Sequence, residues 1–439
     1  MKPRIEQVLG HGLKQGIAQK LAATVLVAIG LVAPTATLAE TTAAGNDASA
    51  LHVFLVGKVL TMDPDDRVVN NAAVLVRDGA IVEVVKASAY DIPDDAEVHD
   101  YAKGWLVPGF VECHNHTAGA LSDLNDSVYL TNPGLRTRET VVPQSYEVDK
   151  AQAGGMTTAL LIPGSGTNMS GFGTVVKFKG ETVDEMILRS PGSIKVAQAG
   201  NPEGYWTGVG RSFMNYNTRQ TLESARDYHL AWEAFEAGET KEAPDFNPNW
   251  HEFRGLFARD YIASVHTQIY QVMMTTVDML ANKLNIKTVL DHSTFDGWKI
   301  APLVLEAGED NVITINGPRQ FHFDRTQRKM MGNAHRWWQG GITKLGVNTD
   351  APVIPQEQLP YQATIACWYG WKPYLAIAGL TRVPAEALMV DDIVGTIEPE
   401  KHADFAIWTG DPIDPRSHVL ATVIEGDVVY DAERDGRRF

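Results

Sequence analysis

Residues 104–119 read "GWLVPGFVECHNHTAG", an apolar run that ends in two histidines, His114 and His116. In a β-strand, side chains two positions apart lie on the same face, so both imidazoles would leave the end of this strand in one direction. Such a pair suits a metal ion, but a His-x-His pair also arises by chance among 13 histidines. Alone, the pair fits two half-exposed polar residues in a turn equally well.

Seven further short apolar runs follow, and each ends in a polar or glycine-rich loop. They read "MTTALLIPG", "GTVVKFKG", "SIKVAQAG", "YIASVHTQ", "KTVLDHS", "NVITINGP" and "KLGVNTDAP". Helical segments such as "YQVMMTTVDMLANKLN" separate several of them. Eight strands alternating with helices over about 250 residues predict an α/β fold, a parallel TIM (β/α)8 barrel over residues 108–400. Residues 201–258 exceed an ordinary strand-to-helix connection, and we expect an insertion there over the barrel mouth.

Two β-rich segments flank the barrel region. Residues 51–107 contain strand-like runs with a hairpin signal at Asp78-Gly79, and residues 401–439 contain a similar signal at Gly426-Asp427. Neither segment is long enough to build a core alone. We therefore predict one small composite β-sandwich domain formed from both chain ends.

The first 39 residues have the pattern of a secretory signal peptide. Four basic residues precede the apolar run "LAATVLVAIGLVAPTATLA", which ends in small residues before Glu40. A membrane anchor is the less favoured alternative, because Pro34 interrupts the run before it reaches the ~20 residues of a membrane span. We expect cleavage near Ala39 and a periplasmic or secreted protein that has no membrane association after cleavage.

Composition limits the partners of the mature chain. Loss of residues 1–39, which hold four basic residues and one acidic residue, changes the net charge from −16 to −19. Since no lysine- or arginine-rich run exists either, we expect a small-molecule substrate and no nucleic acid, and a homo-oligomer is left open. Two cysteines, Cys113 and Cys367, make no disulfide framework, and we expect two buried thiols rather than a single bridge.

Metal-competent side chains stand at the ends of the predicted strands, where barrel enzymes build their active sites. Besides the first histidine pair, these are His266, His292 and Asp350. A lone histidine at a strand end is usually a solvated or hydrogen-bonded loop residue, but five such ligands at separate strand ends are hard to obtain by chance. Divalent ions such as Zn²⁺ accept this mixture of imidazole and carboxylate, and they activate water and carbonyl groups for hydrolysis.

The combined motifs resemble the amidohydrolase superfamily of metal-dependent hydrolases, and most closely its imidazolonepropionase-like and prolidase-like members. The resemblance covers residues 51–431 and rests on "VPGFVECHNH", the two later histidines, "NTDAPVIP" and "VGTIEPEKHADFAIWTGDPIDP". It implies a TIM barrel joined to a small β domain built from both chain ends. It also implies metal-ligand roles for His114, His116, His266, His292 and Asp350. Asp350 is in addition the implied general base, and we count His292 with it as catalytic.

Three positions bear on the number of metal ions. Glu112 stands where the family usually has an aspartate two residues before the first histidine. Relatives with two metals bridge them by a carboxylated lysine or a glutamate; Lys195 is the candidate here and Lys177 the second choice, although either also fits an ordinary strand lysine. Gly200 stands where some relatives have glutamate, so a glutamate bridge is not expected. One or two ions, most simply Zn²⁺, are therefore expected.

Two groups of residues are weaker candidates for contacting the substrate. Arg319 and His322 follow the seventh strand and could bind a carboxylate or carbonyl group. Tyr205, Trp206 and Arg211 lie in the expected insertion and could line the pocket. Structural roles at the protein surface are the alternative for all five.

These observations predict an exported metal-dependent hydrolase that cleaves an amide or cyclic-amide C–N bond with metal-activated water and with Asp350 as general base. Dipeptidase, lactonase and deaminase activities of the same superfamily are alternatives. A further alternative is a catalytically weak or inactive family member that serves as a binding subunit. No Gly-x-Ser-x-Gly motif supports a serine hydrolase.

Overall fold

The computed structural model describes residues 50–119 and 124–439. The predicted signal peptide, residues 1–39, lies outside this range. Within it, the strands are β1 His52–Leu60, β2 Val68–Arg77, β3 Ala80–Lys86, β4 Glu97–Pro108, β5 Phe110–Asn115, β6 Met156–Leu161, β7 Met169–Lys177, β8 Ile187–Ala197, β9 Ile262–Thr267, β10 Thr288–His292, β11 Val312–Asn316, β12 Phe321–Asp324, β13 Lys329–Gly332, β14 Leu345–Val347, β15 Phe405–Trp408, β16 Val419–Ile424 and β17 Asp427–Asp431.

The helices lie mainly between the strands of the central region. They are α1 Tyr146–Ala153, α2 Val183–Met186, α3 Asn201–Tyr205, α4 Arg211–Glu236, α5 Arg254–Ala258, α6 Tyr270–Thr276, α7 Ala301–Ala307, α8 Asn333–Gln339, α9 Leu359–Trp368, α10 Pro373–Ala378 and α11 Arg382–Ala387. A π-helix, Val277–Lys283, continues α6. Short 3-10 helices occur at Ala87–Ala89, Thr137–Thr140, His251–Phe253, Gly297–Ile300 and Gln356–Gln358. Among the described residues, no helix combines the length and the apolar character needed to cross a bilayer.

Both chain ends contribute to one seven-stranded sheet, in the order β17-β16-β15-β4-β1-β2-β3. The ends meet where β15 pairs antiparallel with β4 and Phe405 lies opposite Pro108. The turn between β2 and β3 is Asp78-Gly79, where both residues have positive φ as a two-residue hairpin requires. The turn between β16 and β17 is Glu425-Gly426, one residue earlier than we expected. The predicted sandwich of two facing sheets stays a prediction, and so do the predicted domain boundaries.

The central region forms a second sheet of eight strands, in the order β14-β11-β10-β9-β8-β7-β6-β5. These are the eight strands expected from the sequence. The two edge strands approach each other, because Asn115 at the end of β5 forms an isolated parallel bridge to Ala351 just beyond β14. The His116 N–H donates to the Ala351 carbonyl at 3.0 Å across the same seam. The sheet is therefore a nearly closed barrel of the TIM-like kind.

The expected all-parallel arrangement is wrong for one strand. β7 runs antiparallel to both neighbours, β6 and β8, whereas the other pairs of neighbouring strands in this sheet are parallel. A parallel crossover needs roughly a dozen residues or more, usually with a helix. The chain offers only residues 162–168 before β7 and residues 178–186 after it. These short connections act like hairpin loops, so β7, the third strand of the barrel, runs antiparallel to its neighbours.

The expected insertion at residues 201–258 is largely helical and contains α3, α4 and α5. Leu222 and Ala225 of α4 are buried in one apolar cluster with Phe172 of β7 and Ile194 of β8. The long helix thus packs against the side of the barrel. A position over the barrel mouth stays a prediction.

Candidate metal centre

The six ligands predicted from the sequence lie together at one end of the barrel. The strands that supply them are parallel, so their carboxyl ends meet at the same edge of the sheet. The ring centroids of His114 and His292 are 4.6 Å apart, and those of His266 and His292 are 4.5 Å apart. The six are His114 in β5, His116 just after it, Lys195 in β8, His266 in β9, His292 at the end of β10 and Asp350 just after β14.

Asp350 lies between the two histidines of the first strand. Its Oδ1 is 3.1 Å from Nε2 of His114 and 3.3 Å from Nε2 of His116. Ligand atoms of His114, His292 and Asp350 all lie within 4.8 Å of one another. Tetrahedral coordination with bonds of about 2.0–2.2 Å places ligand atoms roughly 3.3–3.6 Å apart. The spacing and the mixture of nitrogen and oxygen donors therefore fit a Zn²⁺-like ion.

Backbone carbonyls fix the orientation of two of the imidazoles. Nδ1 of His292 donates to the Gly317 carbonyl at 2.9 Å, and Nδ1 of His116 donates to the Ile162 carbonyl at 2.7 Å. Each bond leaves Nε2 as the free ligand atom, as is usual for metal-binding histidines. Nε2 of His292 lies 3.0 Å from Nδ1 of His266.

Burial favours the neutral, metal-binding form of three of these imidazoles. It lowers the pKa of His116, and it lowers the pKa of His292 well below the ordinary value. Burial, together with the charge of Lys195, lowers the pKa of His266 to about 3. Protons would therefore compete weakly with a metal at these three rings.

The geometry distinguishes the two candidate bridging lysines. Nζ of Lys195 lies 3.1 Å from Nε2 of His114, and burial lowers the pKa of this amine. Lys177 ends β7, whose reversed direction carries it to the opposite end of the barrel. There its Nζ donates to Glu425 Oε1 at 2.8 Å and to Asp404 Oδ1 at 3.2 Å. Lys195 is thus the lysine beside the candidate ligands.

Gly200 also lies beside the cluster. It has φ of +84°, and a Cβ built on it would lie 3.6 Å from Nε2 of His266. A side chain at this position would face the imidazole, so the glycine leaves open space on this side of the ligands.

Asp291 belongs to the same cluster, although it was not predicted from the sequence. Its Oδ2 is 3.2 Å from Nδ1 of His114 and accepts a short hydrogen bond from Ser264 Oγ, while Oδ1 is buried without a hydrogen-bond partner in the described chain. Neighbours in a strand normally face opposite sides, so Asp291 and His292 were not expected together. The backbone at His292, however, has φ of 70°, which ends the alternation. The available signal was a charged residue inside the apolar run "TVLD".

Glu112 holds the first histidine and the barrel seam. Its Oε1 accepts the His114 N–H at 3.3 Å, and its Oε2 accepts the Thr349 N–H at 3.1 Å and the Thr349 hydroxyl at 2.8 Å. Burial raises the pKa of Glu112 to about 8, although the bonds from Thr349 oppose this shift. Glu112 thus joins the end of β5 to the exit of β14.

The weaker substrate-contact candidates make contacts typical of structural residues. The Arg319 guanidinium lies 5.6 Å from the centre of the Phe295 ring, and His322 Nδ1 is hydrogen-bonded to Asn333 Oδ1 at 2.7 Å. Roles in substrate binding stay predictions for these two.

The candidates in the helical region lie near or at the surface. Tyr205 is exposed and Trp206 is half-buried. Nε of Arg211 lies 3.9 Å from a carboxylate oxygen of Glu203. Their contact with a substrate also stays a prediction.

Comparison with curated proteins relates this chain to amidohydrolases. No family model matches it. "Amidohydrolase tasK" of Hapsidospora irregularis is 22% identical over 392 residues, which cover 82% of this chain but 40% of that protein. The chain therefore spans about two fifths of the length of this relative. "Imidazolonepropionase" of Maricaulis maris is 27% identical over 374 residues, which cover 78% of this chain and 88% of that protein.

Comparison with solved structures also finds a similarity to an amidohydrolase. An amidohydrolase from Thermotoga maritima superposes with a TM-score of 0.75 and 25% identity, covering 87% of this chain and all of that one. A putative prolidase from Bifidobacterium longum superposes with a TM-score of 0.52 over 87% of this chain and 95% of the other, and at 15% identity this likeness concerns the fold alone. Taken with the barrel and its cluster of histidines, these comparisons show a chain that is similar to amidohydrolases in sequence and in fold.

Proposed function

We propose that the protein is a metal-dependent hydrolase that cleaves an amide or cyclic-amide C–N bond. The observation that carries this proposal is the convergence of four histidines, Lys195 and Asp350 at the carboxyl ends of the barrel strands. The name of the imidazolonepropionase relative supports the choice of a C–N bond over an ester. The convergence also favours an enzyme over the inactive binding subunit, because a candidate bridging residue lies in place.

The proposed ligands are the six residues of the cluster, and Zn²⁺ is the proposed ion. When bound, such an ion lowers the pKa of water toward about 7 and polarises a carbonyl group. A second ion would need a bridging ligand, and Lys195 carboxylated at Nζ would supply one. Burial favours the neutral amine of Lys195, which is the form that reacts with carbon dioxide.

Asp350 is the proposed general base. Burial raises the pKa of this carboxyl group, but His114 and His116 outweigh burial and hold the pKa well below its ordinary value. The carboxylate is therefore ionised and can accept a proton from the attacking water and pass it to the leaving nitrogen.

The test combines metal analysis with a substrate screen on the purified full chain. N-acyl amino acids, dipeptides, hydantoin-like rings and lactones cover the alternatives. We expect hydrolysis that a chelator abolishes and Zn²⁺ restores, and we expect His114→Ala to lose this activity and one barrel ion. A matched variant, His335→Ala, changes a histidine outside the cluster and should behave as wild type. If the Zn²⁺-loaded chain hydrolyses none of these classes, the binding subunit becomes the better hypothesis.

We also propose that the protein is exported and processed, on the sequence pattern of residues 1–39. N-terminal sequencing of the protein from its native cell should give a start close to Glu40. An intact Met1 on the natively produced protein would rule out cleavage.

A further inference from the structure

A second group of metal-competent side chains lies outside the barrel, in the sheet built from the chain ends. β1 and β4 pair in parallel, with His52 opposite Glu97 and Phe54 opposite His99. Residues two positions apart on a strand share a face. The two histidines and the glutamate therefore lie on one face of the sheet.

The three side chains form a triangle in which each group approaches the other two, and Glu97 faces each ring with a different carboxylate oxygen. His52 Nδ1 is 3.2 Å from His99 Nε2, Glu97 Oε2 is 3.6 Å from His52 Nδ1, and Glu97 Oε1 is 3.5 Å from His99 Nε2. A tetrahedral ion with bonds of about 2.0–2.2 Å gives edges of roughly 3.3–3.6 Å between its ligands. The distance between the two ring nitrogens and the distance from each ring nitrogen to its nearer carboxylate oxygen are close to this spacing, and one ligand atom from each residue lies within 4.8 Å of the others.

A hydrogen bond between the two rings is the simplest alternative. It accounts for the short contact of His52 with His99 but not for the carboxylate, because N–H···O bonds are about 2.7–3.2 Å long. Both distances from Glu97 exceed this range. A cation held by both rings and by one oxygen of Glu97 would use all three groups as donors.

The surroundings of the triangle suit a cation. The His99 ring is held in place by stacking on Phe54, with ring centroids 4.4 Å apart. Burial lowers the pKa of His99, which favours the neutral imidazole that binds metals. The three residues border an open cavity of about 760 Å³ whose lining also includes Asp427, Asp431, Glu433 and Arg434. The acidic side chains outnumber the arginine in this lining, so the charge beside the three residues favours a cation.

We propose that His52, Glu97 and His99 form a second site for a divalent transition-metal ion such as Zn²⁺. The site is separate from the barrel cluster and joins β1 to β4 within the terminal sheet. Because it uses none of the barrel ligands, it does not depend on the proposed hydrolytic function.

The test is a Zn²⁺ titration of the chelator-treated full chain, with zinc counted per chain after removal of free metal. We expect His52→Gln to bind one zinc fewer than wild type. For Glu97→Gln we expect the affinity of that zinc to fall by at least the roughly 10–100-fold that loss of an outer-shell partner costs. His418→Gln removes a histidine that directly precedes β16 of the same sheet and should match wild type.

Two further measurements separate this site from the barrel and from misfolding. His114→Ala should keep the zinc that depends on His52. If that zinc were bound by the barrel cluster instead, His114→Ala would lose it. His52 and Glu97 are 30% and 58% exposed in their side chains, so both variants should melt cooperatively in the absence of zinc. Equal zinc counts and affinities in wild type, His52→Gln and Glu97→Gln would overturn the proposal.

Discussion

Asp350 is more exposed to solvent than most of the groups around it. Its side chain is 17% exposed, whereas those of His114, Lys195 and Asp291 are fully buried. A group that exchanges protons with a substrate has to be accessible, while groups that only hold an ion do not. The carboxylate also contacts two imidazoles, so it is positioned beside the proposed ion and the approach to it.

Replacing Asp350 by Asn therefore separates metal binding from catalysis. The histidines supply most of the proposed ligands, so we expect Asp350→Asn to keep substantial metal by elemental analysis. The amide cannot accept a proton from water, so turnover should fall by about 10²–10⁴-fold. His114→Ala should lose metal and turnover together. Near-normal turnover of Asp350→Asn on a confirmed substrate would show that this residue is only structural.

Cys113 and Cys367 are free thiols and form no disulfide with each other. Cys113 is buried and its thiol contacts the Pro384 carbonyl, with Sγ 3.6 Å from the oxygen. Cys367 is half-buried. Burial raises the pKa of Cys367 to about 12 and that of Cys113 well above its ordinary value.

We expect both thiols to resist alkylation in the folded protein. A raised pKa keeps the thiol protonated at pH 8, and only the thiolate is nucleophilic. Iodoacetamide should therefore label the native chain at least about 100-fold more slowly than the denatured chain, as followed by mass spectrometry. Denatured, unreduced protein should take up two labels. A chain that takes up none until it is reduced would contain the disulfide.

At the scale of elements, the reversed direction of β7 gives the barrel a link to the terminal sheet. Lys177, at the end of β7, donates to Asp404, just before β15, and to Glu425, just after β16. Its side chain is 4% exposed and that of its partner Asp404 is 1% exposed. Removing one partner of a buried ion pair leaves an uncompensated charge.

Lys177→Met should therefore destabilise the protein by about 3–5 kcal/mol in urea unfolding. Lys179, two residues further, provides a matched control, because its partner Asp427 is 71% exposed and its contact with Glu425, which it shares with Lys177, is long at 3.5 Å. Lys179→Met should cost at most about 1 kcal/mol. Equal effects of the two substitutions would contradict a specific link through Lys177.

The positions of the barrel strands could be predicted from the sequence because each is a short apolar run ending in a polar loop. The direction of β7 was also foreseeable, since residues 162–168 and 178–186 are too short for parallel crossovers. The convergence of the histidines followed from their strand-end positions. Asp291 did not, because its orientation depends on one backbone angle at His292.

The His52–Glu97–His99 triangle could not be predicted from the sequence for a different reason. His52 becomes a neighbour of Glu97 and His99 only through the parallel pairing of β1 with β4, two strands that β2 and β3 separate along the chain. Nothing local in the sequence indicates that register. The same reasoning applies to the link between Lys177 and Asp404.

At the scale of the whole molecule, the terminal sheet is completed by both ends of the chain. β15, β16 and β17 form one side of it, and β4 is the strand through which they join β1, β2 and β3. Phe405, Ile407 and Val423 are buried in the same apolar cluster as Phe54 and Leu106. Neither half can cover its apolar face without the other.

Deleting residues 401–439 should therefore give insoluble protein or a state without fixed tertiary packing, although it removes none of the six proposed barrel ligands. The deletion exposes the edge of β4, whose unpaired backbone groups and apolar side chains favour aggregation. A shorter deletion of residues 433–439 leaves all three C-terminal strands in place and is the matched control, expected to stay soluble and to melt cooperatively. Solubility, near-ultraviolet circular dichroism and thermal unfolding of both truncations make the comparison. If the chain ending at residue 400 were soluble and melted cooperatively, the β segments would be independent appendages, and the barrel would owe its stability to its own core alone.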